Sequence, residues 1–332
     1  MPFPNIDPVA IEIGWFAIRW YAIAYLAGLA LGWLYVRALV TNAGLWGLKP
    51  GGPGIATKGQ IDDLLIWAAV GVILGGRLGH VLFYGLVLNS SYYIDNPLKI
   101  FAYWEGGMSF HGGLIGVVVA IIFYARSVGL NMYQLGDAVA LATPIGLFFG
   151  RIANFINGEI WGRPTTLPWG VIFPNAHPAG VPRHPSQLYE AFLEGLMLFL
   201  VLNVLARYAK ALHRPGLITA IFLILYGFFR IFVEVLFRDS NNKLGDSGWT
   251  LGIVLSLPMF VAGAYFIWVA MREPAKAVSA PPQASGPPIA QPQPAPETAA
   301  SREAALALSD IDEGASEPAR EDDGLSPKGP PA

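Results

Sequence analysis

Seven stretches of this chain are apolar for about the length a bilayer requires, and that repeated length limits the fold more than any other feature. They run approximately over residues 14–36, 62–84, 110–125, 134–151, 187–206, 216–236 and 250–271. A hydrocarbon core about 30 Å thick takes about 20 helical residues to cross. No water is present there to satisfy an open backbone, so spanning segments are helices or closed barrels. The expected fold is an all-α polytopic membrane protein with about seven transmembrane helices. Composition agrees: 54% of residues are hydrophobic and 13% charged, whereas a soluble domain carries about 25% charged residues. The third and fourth stretches are the shortest, and their ends are the least defined. Residues 1–8 carry no basic segment and Arg19 interrupts the first apolar run, so no cleaved signal peptide is expected.

The chain divides in two by composition. Residues 273–332 hold 12 of the 27 prolines, 10 of the 23 acidic residues and 4 of the 21 basic ones. Runs such as Pro287-Pro288 cannot continue a helix, and the segment is expected to be a disordered, Pro/Ala-rich acidic tail. Residues 1–272 are expected to form the seven-helix membrane domain. The overall charge of -2 gives no case for nucleic acid as a partner. The absence of cysteine excludes disulfides, thiolate metal sites, Fe–S clusters and a cysteine nucleophile.

Orientation follows from loop lysines and arginines. With the N-terminus outside, the cytoplasmic segments carry Arg37, Lys49, Lys58, Arg126, Arg207, Lys210, Arg214 and Arg272, and the outer ones Lys99, Arg163, Arg183, Arg238 and Lys243. The C-terminus, and with it the acidic tail, is then cytoplasmic. The longest outer loop, about 152–186, is rich in proline and aromatic residues and is expected to lie on the outer membrane–water interface, as a lid or as a plain cap. Glycines recur four residues apart at 28/32, 71/75, 75/79, 112/116 and 146/150. Such spacing lets helices pack closely in lipid, and it also makes room for a lipid chain.

Charged groups within spans are costly and usually face the bundle interior or a wet cavity. Under this topology Tyr21, Arg77, His111, Arg151, Glu190 and Arg230 gather in the outer half of the membrane, whereas Asp137 lies near the inner end of the fourth span. Simple readings cover some of these groups. Arg230 and Glu234 are spaced to pair on one helix face. His80 and Asp137 are each readable as helix-end residues, and Arg19 as a snorkelling side chain. Three arginines, Arg77, Arg151 and Arg230, on one side are less easily explained this way and suggest an anion site, because guanidinium grips phosphate bidentately.

The run Gly150-Arg151-Ile152-Ala153-Asn154-Phe155-Ile156-Asn157-Gly158-Glu159-Ile160-Trp161-Gly162-Arg163 resembles the signature of the bacterial prolipoprotein diacylglyceryl transferase family. Arg19-Trp20-Tyr21, Leu74-Gly75-Gly76-Arg77, Glu105-Gly106-Gly107-Met108-Ser109-Phe110-His111-Gly112-Gly113-Leu114, Arg183-His184-Pro185-Ser186-Gln187-Leu188-Tyr189-Glu190, Phe229-Arg230 with Glu234, and Gly252-Ile253-Val254-Leu255-Ser256-Leu257-Pro258-Met259 follow the same pattern along residues 5–272. Arg19 departs from the histidine that some members carry, and no catalytic role is assigned to it. The resemblance implies transfer of the diacylglyceryl group of phosphatidylglycerol to the lipobox cysteine of a prolipoprotein at the outer face of the bacterial inner membrane. Glycerol phosphate leaves, and neither a metal nor another cofactor is required. The substrate then supplies the thiol, in keeping with a chain that has none.

On this reading Arg151 and Arg230 hold the phosphate and the charge that develops on it. His111 is the first candidate for the base that takes the thiol proton, because its ordinary pKa lies near neutrality. Glu190 or a water is the alternative, and His111 then contacts the headgroup. Tyr21 joins the catalytic set. Asn154, Asn157 and Gly162 are assigned to substrate binding, Glu234 to positioning Arg230, and Arg77 and Glu159 complete the substrate-binding set. The competing readings are a transporter of an anionic lipid or metabolite, which calls for polar groups through to the inner half and internal repeats, and an assembly scaffold, which leaves the buried arginines unexplained.

Overall fold

The computed structural model describes residues 1–4, 6–86, 90–239 and 249–272. The acidic tail 273–332 and Lys243 lie outside the described residues. Among the described residues, seven helices are long and apolar enough to cross a membrane. They comprise α1 (Trp20–Thr41), α2 (Lys58–His80), α4 (Phe110–Ser127), α5 (Met132–Ile156), a composite fifth span, α8 (Leu217–Leu236) and α9 (Leu251–Arg272). The fifth span starts as α6 (Ser186–Glu190), widens into a π-helical segment (Ala191–Met197) and ends as α7 (Leu198–Arg207). A short helix, α3 (Ser90–Asp95), lies between α2 and α4.

One region departs from the sequence expectation. The first apolar stretch does not begin as helix at residue 14, because β1 (Val9–Ile13) and β2 (Phe16–Arg19) form an antiparallel hairpin. Gly14 turns the hairpin with φ of 61°, a conformation open to glycine. The fold is therefore mostly helical with this one small sheet among the described residues.

Helix starts are written locally. Thr57 and Gln60 make a reciprocal capping box at α2. Ser109 accepts from the Gly112 N–H at the start of α4, and Asn131 from the Tyr133 and Gln134 N–H groups at the start of α5. The start of α8 is capped from a distance. Asp137 on α5 accepts from the Gly216 N–H at 2.7 Å and from the Thr219 N–H and hydroxyl at 2.7 and 2.8 Å. Asp137 is thus a helix-capping residue, and the helix it caps is α8 rather than its own.

The glycine pairs divide into two uses. Along α2 and α4, Gly75 and Gly79 lie against the Gly112–Gly116 backbone. A Cβ at Gly79 would stand 2.6 Å from Gly112 Cα, and one at Gly75 2.7 Å from Gly116 Cα, so only glycine permits this approach. On α5, by contrast, a Cβ at Gly146 or Gly150 would meet nothing within 4 Å. These two glycines, with Gly28 and Gly32 on α1, line a cavity of about 510 Å³ between α1, α2, α4 and α5, and Gly28 also packs on α5, where a Cβ would stand 3.1 Å from Gly146 Cα. A dry core closes the bundle on the side where α7 and α8 meet α5, with Ala138, Leu141, Leu198, Leu202, Leu212 and Ile218 fully buried.

Candidate functional site

The C-terminal end of α5, the α6–π segment and the C-terminal end of α8 bring three guanidinium groups and three carboxylates together. Glu190 is the hub. Its Oε1 accepts from Arg230 at 2.6 Å and Arg238 at 2.7 Å, and its Oε2 stands 3.1 Å from Arg151 Nε. Arg151 also bonds Glu194 at 3.1 Å, and Arg230 reaches Glu234 at 3.2 Å. Arg238 Nε lies 3.6 Å from Glu234. The Arg230–Glu234 pair is the one read from their spacing.

The charges are layered. The side chains of Glu190, Glu194 and Glu234 are 0%, 0% and 2% exposed, and those of Arg151, Arg230 and Arg238 are 16–17% exposed. Carboxylates form the sealed rear and guanidinium faces form the front. Removing one partner from such a buried network leaves an uncompensated charge, at a cost of about 3–5 kcal/mol. The layering also holds the arginine faces in place before an anion arrives, which is the condition for electrostatic stabilisation without reorganisation.

The third arginine of the convergence is Arg238, not Arg77. Arg77 is buried at 8% exposure, and its guanidinium donates to the backbone carbonyls of Ile100 at 2.9 Å, Gly106 at 2.7 Å and Lys99. It clamps the segment between α3 and α4. Glu194 and Arg238 were not among the sequence candidates. Glu194 was visible as a charge inside a span. Arg238 falls just past the sixth span, where a basic residue reads as loop.

Asn154, one turn beyond Arg151 on α5, donates from Nδ2 to Glu159 at 2.8 Å and lies 3.5 Å from the Tyr21 hydroxyl. Tyr21 in turn bonds Tyr25 at 3.0 Å. Three sequence-selected groups, Tyr21, Asn154 and Glu159, are thus linked by polar contacts one turn from Arg151 on α5. Asn157 ends α5 and is half-buried. The loop beyond it is tightly held. Ile160 adopts φ of 59°, rare for a β-branched residue, and its carbonyl accepts from Ser186 while that of Glu159 accepts from Gln187. Gly162 is a close-approach position to the chain itself: a Cβ there would lie 2.7 Å from His184 Cβ.

His184 packs edge-on to Tyr189 and Phe237, with Nδ1 3.2 Å from the Tyr189 hydroxyl. Burial, and then the nearby Arg163 charge, hold its pKa below the ordinary histidine value. His111 sits elsewhere, exposed in the first turn of α4 with its ring edge-on to Phe110. Among the described residues it makes no hydrogen bond or ion pair with the arginine cluster. Phe110, its neighbour, lines the cavity. Among the described residues, no cluster of His, Asp or Glu is arranged to hold a metal ion.

The cavity joins these parts. Arg151, Asn154, Tyr25 and Tyr226 line its polar end, and its remaining walls are almost wholly apolar, with Val36, Ile61 and Leu64 closing the far end. A long apolar slot with guanidinium at one end suits an amphiphilic anion.

Comparison with known proteins gives a consistent result. The family profile described as prolipoprotein diacylglyceryl transferase matches residues 8–269. Proteins named phosphatidylglycerol–prolipoprotein diacylglyceryl transferase are similar along most of the chain. The one from Caulobacter sp. (strain K31) is 50% identical over 295 residues, covering 82% of this chain and 96% of the relative. The one from Phenylobacterium zucineum is 50% identical over 283 residues, covering 82% and 96%. The one from Nitrobacter hamburgensis is 52% identical over 272 residues, covering 81% and 89%.

Proposed function

The chain belongs to the prolipoprotein diacylglyceryl transferase family, and from that premise we propose that it moves the diacylglyceryl group of phosphatidylglycerol to the lipobox cysteine of a prolipoprotein. The observation that carries the reading is the trio Arg151, Arg230 and Arg238, braced from behind by Glu190 at the polar end of an apolar cavity. One acyl chain lies in the cavity and the phosphodiester lies on the guanidinium front.

The reaction is an alkyl transfer. The substrate thiol loses its proton, and the thiolate attacks the glycerol carbon that bears the phosphate ester. A carbon–sulfur bond forms as the carbon–oxygen bond to phosphate breaks, and the electron pair of that bond leaves on glycerol phosphate. The leaving group gains one negative charge, which Arg151 and Arg230 are placed to stabilise, with Arg238 supporting them through Glu190. Glu190 is assigned to positioning rather than to the thiol proton, because both its oxygens face guanidinium groups. Asn154 and Tyr21, linked through their polar contacts, are placed to meet the headgroup glycerol beside Arg151. His111, exposed at the start of α4 beside the cavity-lining Phe110, is assigned as the base that meets the incoming thiol. Asn157 and Gly162 shape the loop around the site, and Arg77 braces the segment that precedes α4.

We assign the site to the periplasmic side of the inner membrane, with the N-terminus outside and the C-terminus cytoplasmic. The basic-loop bias supports this orientation, as does the gathering of the cluster at the C-terminal ends of α5 and α8. The catalytic domain is residues 1–272, and the acidic tail 273–332 takes no part in transfer. A transporter would need polar groups along a path through the bundle. The apolar walls beyond Arg151, and the engagement of Asp137 in capping α8, favour a lipid enzyme instead. The test is an assay of the purified full chain with phosphatidylglycerol and a lipobox peptide. Formation of a thioether adduct with release of one glycerol phosphate is expected, and no adduct under conditions that support a relative contradicts the reading.

A further inference from the structure

We infer that the closed far end of the cavity measures acyl-chain length, so that Val36, Ile61 and Leu64 determine which phosphatidylglycerol species is used. The inference rests on the lipid reading given above and adds to it a named specificity element. The α5 wall of the slot is bare near Arg151, since Gly146 and Gly150 carry no side chain and a Cβ at either would meet nothing within 4 Å. It ends on bulk, since Val36, Ile61 and Leu64 line it and are only 6%, 2% and 5% exposed.

The dimensions agree with a single acyl chain lying at its natural depth. Arg151 and Val139, both lining residues on α5, are separated by about 18 Å at 1.5 Å per residue. One leaflet of a bilayer is about 15 Å deep, half of a core about 30 Å thick. A lipid whose phosphate rests on Arg151 therefore brings its terminal methyl to the floor. The wall between is almost wholly apolar. Thr143, the polar lining residue midway, donates its hydroxyl to the Val139 carbonyl at 2.8 Å, which satisfies it within the helix. A chain too long meets packed side chains and must bend or withdraw its phosphate. A chain too short leaves the floor without contacts. Both displacements are felt at the reacting carbon, because phosphate position and chain position belong to one molecule.

The experiment offers the purified full chain dilauroyl, dimyristoyl, dipalmitoyl and distearoyl phosphatidylglycerol with a lipobox peptide, singly and in equimolar competition, and reads the thioether products by mass. Wild type is expected to show an optimum length, with kcat/KM falling on either side. Val36→Ala and Ile61→Ala deepen the floor and are expected to move the optimum towards longer chains, with about a tenfold change in the long-to-short ratio. Gly146→Leu narrows the slot and is expected to move it the other way. The ratio is read within each preparation, so lower yield of a variant does not affect it. A flat profile in wild type, or an optimum that stays in place in all three variants while adduct still forms, overturns the inference. No adduct from any lipid in wild type contradicts the phosphatidylglycerol reading itself, a result distinct from a length-blind enzyme.

Discussion

Two buried carboxylates on this bundle, Glu190 and Asp137, are both 0% exposed but are stabilised in opposite ways. Glu190 faces three arginines. Among the described residues Asp137 bonds no cation, and its partners are the Gly216 N–H and the N–H and hydroxyl of Thr219. The first arrangement concentrates three braced cations around one anion and leaves their side chains partly exposed. The second closes one helix end with neutral donors and exposes nothing. The comparison separates a charge cluster arranged to receive another anion from a charge used only to tie helices together. α8 is held at both ends by this pair of devices, at Thr219 by Asp137 and at Arg230 by Glu190. The capped end therefore fixes the height at which Arg230 meets Arg151.

The largest effects are expected at the arginines. Arg151→Ala and Arg230→Ala should each lower transfer by at least about 100-fold, the effect of removing a preorganised donor, and cost about 3–5 kcal/mol of stability, with the protein still folded in the membrane. Arg151→Lys should restore little, because a point charge does not reproduce a bidentate fork. Transfer assays beside a thermal-unfolding profile separate the two effects. Next comes Glu190→Gln, which leaves three guanidinium groups short of an anion. It should cost about 3–5 kcal/mol of stability and also reduce transfer, whereas a normal melting profile with normal transfer would show that the hub is dispensable.

Asp137→Ala should be milder, about 1–2 kcal/mol, as for loss of a helix cap. Transfer should fall far less than in Arg151→Ala, and equal loss of activity in both would erase the distinction between the two carboxylates.

The seven spans were legible because hydropathy over about 20 residues reports the membrane without any knowledge of contacts. The hairpin was not. Residues 9–19 are as apolar as a helix start, and short apolar runs do not distinguish strand from helix. Arg151, Glu190 and Arg230 were legible as costly charges inside spans, and Glu234 through its spacing from Arg230. Arg238 and Glu194 join the hub through contacts to residues 48 and 43 positions away in sequence, which no spacing rule reports; the i,i+4 spacing of Arg238 from Glu234 is the one local signal. Arg77 looked like its neighbours until its carbonyl partners, 22–30 residues downstream, came into view. The glycine stripes, identical in spacing, divide into packing and cavity lining only when the opposing helix is known.

Smaller effects sharpen the same contrast. His184 has a folded pKa below its unfolded one, so the unfolded chain binds more protons as pH falls below about 6.5. Its contribution to stability is present above that value and declines as pH drops towards the folded pKa. His184→Gln should flatten this part of the stability profile in melts taken across mildly acidic pH. Deleting residues 280–332 should leave transfer unchanged within about twofold in well-expressed protein, and a large loss would assign the tail a role in catalysis.

The central claim is that the guanidinium front braced by Glu190 holds the phosphate of the departing headgroup. The most direct measurement follows thioether formation and glycerol phosphate release together, with phosphatidylglycerol and a lipobox peptide, in wild type and Arg151→Ala. Stoichiometric release in wild type and loss of both products in the folded variant is the predicted result. Wild-type rates of both products from Arg151→Ala would contradict it.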